Sequence, residues 1–409
     1  MQHMAHKHRV YPTKRQRQFL AQTFGCARYV WNWALEKRTN AYHEKGEKLG
    51  FSDMCKKLTS LKRDSGKKWL SDPSSVVLQQ SLRNQEQALT NFFEGRAGYP
   101  NFKRKYGKQT ARHTEAAFSY DGESQALSLA KMPGDLEVNW SRRLRGEPTA
   151  VTISKDPAGR YHVSIEFEAP TEDLPKTGKT VGIDVGLESY LTLSTGEKVE
   201  NPRFLKEAYE RLRKEQKDLS RKEKGSNNWK RQKRRVAKAY AKVADKRSDF
   251  LHKLTTRLVT EFDVLCVESL EVKNMQQNPT LAGAISDASW GEFVRQLRYK
   301  CKWYGRALVK IDRWFPSTRR CSGCGHVGER KPLGVREWTC SGCGCFHDRD
   351  ENAAINIESI GTAGLAETAA RRGSASPRGS ASRGSASSGK APGQPRKSSE
   401  AFVLHGSVG

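Results

Sequence analysis

The sequence predicts an α+β chain of more than one domain, and three observations carry that reading. The first part has a helical block set among short strands. The second half alternates strand with helix, and five of the nine cysteines crowd between Cys321 and Cys345. A chain of 409 residues can hold two or three domains, each with its own core.

Taken in order, residues 5–11 (AHKHRVY) read as a short basic strand ending at Pro12. The run KRQRQFLAQTFGCARYVWNWALEKRTNAY has apolar residues at helical spacing, with Gly25 expected to break it into two helices. Ser52 is a candidate cap for a third helix (MCKKLTSLKR). Ser74 or Ser75 would cap a fourth, VVLQQSLRNQEQALTNFFEG, which stops at Gly95. Most aromatics of this block, among Tyr29, Trp31, Trp33, Trp69, Phe92 and Phe93, fall on helix faces and are expected in the core. From about residue 110 the segments ALSLAKM, DLEVNW, TAVTISK and RYHVSIEFEA alternate as strands do, the last two joined by the turn DPAG. They predict a small β-barrel or sandwich, completed by the N-terminal strand, with the helical block inserted. A linker, TEDLPKTGK, follows.

TVGIDVG opens the second half as a buried strand, followed by a hairpin (YLTLSTGEKV) and two long basic helices near 203–223 and 229–261. Then come a strand (FDVLCVESL), a helix (WGEFVRQLRYKCKWYGRAL), a strand (LVKIDRWF), the cysteines and a last helix (ENAAINIESI), an α/β order. Beyond Gly361 the near-copies RRGSAS, PRGSAS and SRGSAS cannot bury enough apolar surface to order themselves, so a disordered basic tail is expected.

Lys and Arg number 73 against 45 Asp and Glu, a net charge of +28. Such an excess costs self-repulsion unless a polyanion neutralises it, and nucleic acid is the usual one. No stretch approaches the roughly 20 apolar residues of a membrane span, and MQHMAHKHRV has no signal core. A cytoplasmic, nucleoid-associated protein is expected. With no export signal the cysteines argue against a disulfide scaffold, and Cys26, Cys55, Cys266 and Cys301 read as buried apolar residues.

The cluster itself is a pair of CxxC motifs, Cys321-Ser-Gly-Cys324 and Cys340-Ser-Gly-Cys343, at the spacing of a four-cysteine zinc ribbon. Four thiolates close a tetrahedral shell, so the zinc would be structural. Cys345 competes with Cys343 as fourth ligand; Cys343 repeats the spacing of the first pair. Three acids stand out. Asp184 lies in a buried strand, Glu268 ends another, and Asp350 begins the last helix. A carboxylate in an apolar strand is costly unless it is paired or binds metal. Singly each has a plain structural explanation; together they are the parts of a hard-cation site, two Mg²⁺ ions activating water for phosphodiester hydrolysis. No phosphate-cradling GxxxxGK[ST] loop is present, which argues against ATP hydrolysis.

GIDVG, VESL, a four-cysteine ribbon and DRDENAAINI, in that order, resemble the split RuvC core of the TnpB (OrfB) proteins of insertion sequences, which are similar to compact type V CRISPR effectors. YPTKRQRQFLAQTFGCARYVWNWAL and SWGEFVRQLRYKCKWYG also look like that family, and the match spans roughly residues 8–360. The resemblance implies a wedge-type β-barrel with an inserted helical bundle. A RuvC-like (RNase H-fold) nuclease domain follows, with the ribbon inserted before its last acid. The expected boundaries are 1–12 and 110–177 for the barrel, 13–109 for the helical recognition region, 178–316 and 348–360 for the nuclease, 317–347 for the ribbon and 361–409 for the tail.

It also implies an RNA-guided DNA endonuclease encoded by a transposon, cutting guide-matched double-stranded DNA beside a short transposon-adjacent motif. Asp184, Glu268 and Asp350 would be its catalytic, Mg²⁺-holding triad, with Asp348 a neighbour. The guide RNA would come from the transposon end. Basic helix residues, among them Arg211, Lys214, Arg221, Lys230, Arg234 and Arg235, would hold guide and heteroduplex through phosphates. Gln79, Gln80 and Asn84 are placed to read base edges on one helix, although solvated surface residues fit the same pattern. Three other readings are a guided binder that does not cut, a strand-joining transposase, and a zinc-ribbon DNA-binding module. The tail reads as tolerated translation of DNA that also encodes the guide, or as a weak RNA binder.

Overall fold

The computed structural model describes residues 1–332, 334–373 and 402–404. They fall into two compact units, Met1–Pro170 with Arg213–Ala241, and Thr171–Leu212 with Lys242–Gly409. Arg213–Ala241, which the sequence assigns with the rest of 178–316, thus groups with the first unit. One reason is that Lys233 sits 4.8 Å from the ring centres of both Tyr106 and Trp229.

The first unit begins with β1 (Gln2–Val10), whose alternate residues Met4, His6, His8 and Val10 point inward. A capping box starts α1 (Lys14–Lys45): the Thr13 hydroxyl accepts from Gln16 N–H, and Gln16 Oε1 accepts from Thr13 N–H at 3.0 Å. The helix runs unbroken through Gly25, against the expected break. A mid-helix glycine costs only about 1 kcal/mol. Burial of Leu20, Phe24, Val30 and Leu35 on both sides of it outweighs that, at about 1.5–3 kcal/mol each. α2 (Phe51–Arg63) has its cap two residues earlier than the expected Ser52. Gly50 occupies its cap, its N–H held by the Asp53 carboxylate at 3.1 Å, so Ser52 lies inside the helix. α3 (Ser75–Phe93) has Ser74 at the cap position, without a side-chain hydrogen bond, and the chain turns away at Gly95 with φ +70°. The three helices share a core of Cys26, Val30, Met54, Leu58, Leu78 and Leu82. The expected core placement of most aromatics fails: Trp31 is buried, Tyr29 and Trp33 are half-buried, and Trp69, Phe92 and Phe93 are exposed, Phe93 by 70%. The half-buried and exposed rings lie at the rim of the bundle's shared core and not inside it.

The strands that follow are β2 (Gln109–Thr114), β3 (Phe118–Tyr120), β4 (Leu127–Leu129), β5 (Val138–Asn139), β6 (Pro148–Lys155) and β7 (Tyr161–Ala169). They form an antiparallel row β2-β6-β7-β1-β5, with β1 registered from Gln2 opposite Ala169 to Val10 opposite Tyr161. The DPAG turn works through Gly159 at φ +86° and an Arg160 N–H donated to Asp156 at 2.9 Å. The row is open between β2 and β5; the β3–β4 hairpin lies in the intervening chain, and Leu136 N–H reaches Leu127 O at 2.8 Å.

In the second unit, β8 (Thr180–Val185) pairs antiparallel with β9 (Ser189–Leu193), which pairs with β10 (Lys198–Glu200). After α4 (Phe204–Ser220) and α5 (Asn227–Glu261), β11 (Val264–Glu268) lies parallel to β8. Two short helices the sequence reading missed, α6 (Val272–Met275) and α7 (Ala282–Ala288), precede α8 (Trp290–Trp303) and β12 (Ala307–Ile311), parallel to β11. Then come β13 (Glu337–Thr339), β14 (Phe346–Asp348), α9 (Arg349–Gly373) and, on the β12 edge, β15 (Phe402–Leu404). Helix α9 continues past residue 360, where the helical pattern was expected to end. Apart from this extension and β15, the tail lies outside the described residues. Among them, no helix is long and apolar enough to cross a membrane.

Strand periodicity sorts the sheet into two faces. Val181, Ile183, Leu265, Val267 and Leu308 pack on one side with Leu254, Leu258, Phe293 and Leu297 of α5 and α8. On the other side Cys266 and Val309 pack with Ile357 of α9. That helix comes so near that a Cβ built on Gly182 would stand 1.9 Å from Ala354 O, and one on Gly361 2.4 Å from Cys266 Sγ. Gly182→Ala is therefore expected to lower stability by about 1–3 kcal/mol or more, because backbone must move to admit the methyl. Thermal unfolding compared with Gly186→Ala, where the nearest atom is 2.9 Å away, checks that position 182 is the tighter one.

Candidate active site and metal centre

Period two carries the acids to the α9 side. Ile183 is opposite Val267 in the parallel β8–β11 pair, so one residue on, Asp184 and Glu268 stand side by side at the C-terminal ends of their strands. Gly182 and Cys266, two residues earlier, touch α9, so the two carboxylates share its face. Asp350 lies in the first turn of α9. Burial, followed by the charges of Glu268 and Asp350, raises the Asp184 carboxyl well above the usual carboxylate range, against the pull of Arg349 and Arg336. Burial also raises Glu268, partly offset by a hydrogen bond from the Ser317 hydroxyl. No hydrogen bond reaches the Asp184 carboxylate among the described residues. A group of crowded carboxylates lacking enough donors fits a divalent cation. The acids are near enough to repel, but among the described residues they do not form a group as tight as that of the four thiols.

Arg336, in the loop between the cysteine pairs, reaches Asp350 at 3.3 and 3.4 Å and Glu188 at 2.7 Å. Asp348 faces elsewhere. Its carboxylate accepts from the N–H groups of Asp350 and Glu351 at 3.1 and 3.0 Å and pairs with Lys198 at 2.7 Å. Burial would raise its carboxyl, but the Lys198 and Glu351 hydrogen bonds outweigh that and hold it low. It caps the helix that carries Asp350.

Sequence reasoning missed the residues that connect these parts. Asn352 and Asn356, one turn apart on α9, are 1% and 3% exposed. Asn352 accepts from Ser322 N–H at 2.9 Å and donates to Arg320 O at 2.8 Å; Asn356 donates to Ser317 O and Arg320 O at 2.9 and 2.7 Å. Ser317 therefore grips Glu268 with its side chain and α9 with its backbone. The signal available was the spacing of the two asparagines in an otherwise apolar stretch, NAAIN.

The Sγ atoms of Cys321, Cys324, Cys340 and Cys343 lie within 4.8 Å of one another, a group that can hold a metal ion. The two knuckles are built alike. Cys321 N–H bonds to His326 O and Gly325 N–H to Cys321 O; Cys340 N–H bonds to Cys345 O and Gly344 N–H to Cys340 O, all at 2.8–2.9 Å. Gly325 and Gly344 take the same left-handed turn, φ +78° and +75°. Cys345 supplies the turn's closing carbonyl, and its thiol lies beside the cluster without joining the group of four. His347, stacked on Trp338 at 4.8 Å, brings Nε2 within 3.0 Å of Cys321 Sγ. Cys26, Cys266 and Cys301 are buried as expected, while Cys55 is half-buried at the edge of the helical core; burial pushes Cys266 and Cys301 up to about 12.

The nucleic-acid candidates lie on helix surfaces. Gln79 and Asn84 are exposed on α3 and Gln80 is half-buried. Arg211, Lys214, Arg221, Lys230, Arg234 and Arg235 are exposed on α4, α5 and the turn between them, and none makes an ion pair among the described residues.

Comparison with known proteins shows the family. Residues 162–279 match an OrfB family model described as "Probable transposase", 290–357 a "Cas12f1-like, TNB domain", and 1–48 an OrfB "Helix-turn-helix domain". A protein of Streptomyces pristinaespiralis named "Putative RNA-guided DNA endonuclease" is 48% identical over 365 residues, covering 88% of this chain and 90% of that one. The chain belongs to the TnpB (OrfB) family. A second family member, "Putative RNA-guided DNA endonuclease InsQ" of Escherichia coli, is 32% identical over 88% of this chain and 93% of its own. In fold, the present chain resembles the protein of a Cas12f1–sgRNA–target DNA complex, at TM-score 0.52 and 13% identity over 83% of this chain and 81% of that one.

Two outcomes follow. Cys343→Ser is expected to lower the zinc bound per chain and Cys345→Ser to leave it unchanged, as measured by elemental mass spectrometry. The raised Asp184 pKa means the folded state holds that proton above pH 3.8, where the unfolded chain has lost it. Its contribution to stability is thus unfavourable at neutral pH and vanishes as pH falls. Asp184→Asn is expected to raise the melting temperature of metal-free protein at pH 8, by about 2–4 °C per kcal/mol, with the gain shrinking toward pH 4.

Proposed function

We propose that the chain is an RNA-guided DNA endonuclease that hydrolyses guide-matched DNA beside a short transposon-adjacent motif. The observation that carries this is that Asp184 and Glu268 stand side by side at the C-terminal ends of parallel strands, on the face covered by α9, whose first turn carries Asp350, with Asp184 left without a hydrogen-bond donor among the described residues. The names of its relatives and the fold of the Cas12f1 complex support it.

In this reading the second unit is a RuvC-like, RNase H-fold nuclease with an inserted zinc ribbon. The strands of the first unit are a wedge-type barrel closed through the β3–β4 hairpin, and the helical block is the recognition region. The three acids would hold two Mg²⁺ ions, which supply an activated water and stabilise the leaving oxygen. Ser317 fixes the Glu268 carboxylate, and Asn352 and Asn356 fix the start of α9 and hence Asp350. Zn²⁺ on Cys321, Cys324, Cys340 and Cys343 would be structural. Guide RNA from the transposon end and target DNA would lie against the unpaired cations of α4 and α5, with Gln79, Gln80 and Asn84 toward base edges. The protein would work at the nucleoid.

The test is cleavage of matched duplex with a randomised flank, by protein purified with its RNA, with and without Mg²⁺. Asp184→Ala or Asp350→Ala should lower cutting by on the order of 10³-fold, the effect of several kcal/mol of lost metal stabilisation. RNA and DNA binding should be largely kept. Cutting that persists in these variants, or that needs no RNA, would sink the reading; guide-independent strand joining would assign the acids to a transposase.

A further inference from the structure

Residues 92–108 (FFEGRAGYPNFKRKYGK) combine two properties that the proposed catalysis leaves unused. The first is aromatic surface turned to solvent: Phe93 is 70% exposed, Tyr106 67%, Phe102 58% and Tyr99 44%. Rings of this size are ordinarily buried, and a run of them in the open marks a contact surface. The second is charge. The segment has one acid, Glu94, and it is taken by Arg96. Arg104, Lys105 and Lys108 are exposed and make no ion pair among the described residues.

The segment is also held in place. Asn32 of α1 clamps Lys103 at both backbone groups, donating to its carbonyl at 3.0 Å and accepting from its N–H at 2.8 Å. Trp31 Nε1 donates to Asn101 O at 3.0 Å, and the hydroxyls of Thr39 and Tyr99 meet at 2.8 Å. Phe92 packs against both Phe93 and Tyr99, ring centres 5.3 Å apart. The rings are therefore fixed in place without being sequestered, so stacking on them loses little conformational entropy.

We propose that this segment is a stacking platform for unpaired bases of the guide RNA. A protein partner would meet a surface with no free acid and several free cations, which suits a polyanion. A duplex hides its base faces within the stack, whereas an unpaired base offers a π-face to an aromatic ring while its phosphates meet Arg104, Lys105 and Lys108. The guide has unpaired segments before any DNA arrives, which gives the platform a resident occupant. The proposal rests on the RNA-guided reading above and adds the place where the RNA is gripped.

The experiment uses the full chain, purified with the RNA it carries when expressed beside its native flanking DNA, then stripped and titrated with that RNA at two salt concentrations. Phe93→Ala and Phe102→Ala are each expected to raise Kd about 5- to 150-fold, the range for one lost base stack, with the salt slope unchanged. Phe102→Trp should bind like the parent. Lys105→Ala should instead flatten the salt slope. A single-stranded DNA of the same sequence, run in parallel, should lose less. Because a variant could misfold, the parent protein is also photo-crosslinked to the RNA carrying 4-thiouridine, and crosslinks should map to residues 92–106. Unchanged RNA affinity in the ring variants, crosslinks elsewhere only, or a loss confined to DNA each overturns the platform. If the parent carries and binds no RNA, the guided reading falls with it; if the parent binds RNA and cuts while ring variants bind normally, the platform alone is wrong.

Discussion

The second unit depends on how closely α9 lies against the parallel pair β8 and β11. Gly182 lets the helix backbone approach one strand and Gly361 lets it approach the side chain of Cys266 on the other. A methyl at either point meets atoms inside normal contact distance, so the helix cannot lie at this depth over any other residue. That depth sets where Asp350 stands relative to Asp184 and Glu268. The three acids come from segments far apart in sequence. Their relation is fixed by packing on a rigid sheet, with no flexible loop carrying an acid.

Packing alone would leave α9 free to slide, and a second set of contacts sets its register. Asn352 and Asn356 bind the carbonyls of Ser317 and Arg320, and Asp348 caps the first turn. Buried amides with their partners satisfied are directional where apolar contacts are not. Through Ser317, the strand that ends in Glu268 is joined to the same clamp. The chain segment that enters the cysteine cluster is thus the one that α9 and the strand ending in Glu268 both hold.

Much of this was legible in the sequence, and what was not has physical reasons. The acids were readable because a carboxylate in VGIDVG or VLCVESL contradicts its apolar surroundings, and the cysteines because their spacing is a coordination geometry. The strand–helix order of the second half followed from periodicity. Gly25 misled because local propensity argues for a break, whereas the buried stripe on either side continues through it. Ser52 misled because Asp53 was a nearer partner for the helix entrance at Gly50. The clamp residues Asn352, Asn356 and Ser317 were missed because their partners are backbone carbonyls and a carboxylate: the spacing in NAAIN marks two polar residues on one helix face, but no sequence pattern announces the distant carbonyls they bind. Phe93 and Phe102 were hidden for a related reason: an exposed ring and a core ring look the same in sequence.

Arg336 gives the loop between the cysteine pairs a role beyond spacing. It delivers a cation to Asp350 and Glu188, while Arg349 ties the same loop down by donating to Pro332 O at 2.8 Å. The folded shape of that loop depends on the knuckles at its two ends. An ion held by the four thiolates would therefore help set the local charge balance at Asp350. Change at the cysteine cluster would then be felt as a change in the field around the acids, so the cluster and the acids would vary as one electrostatic unit.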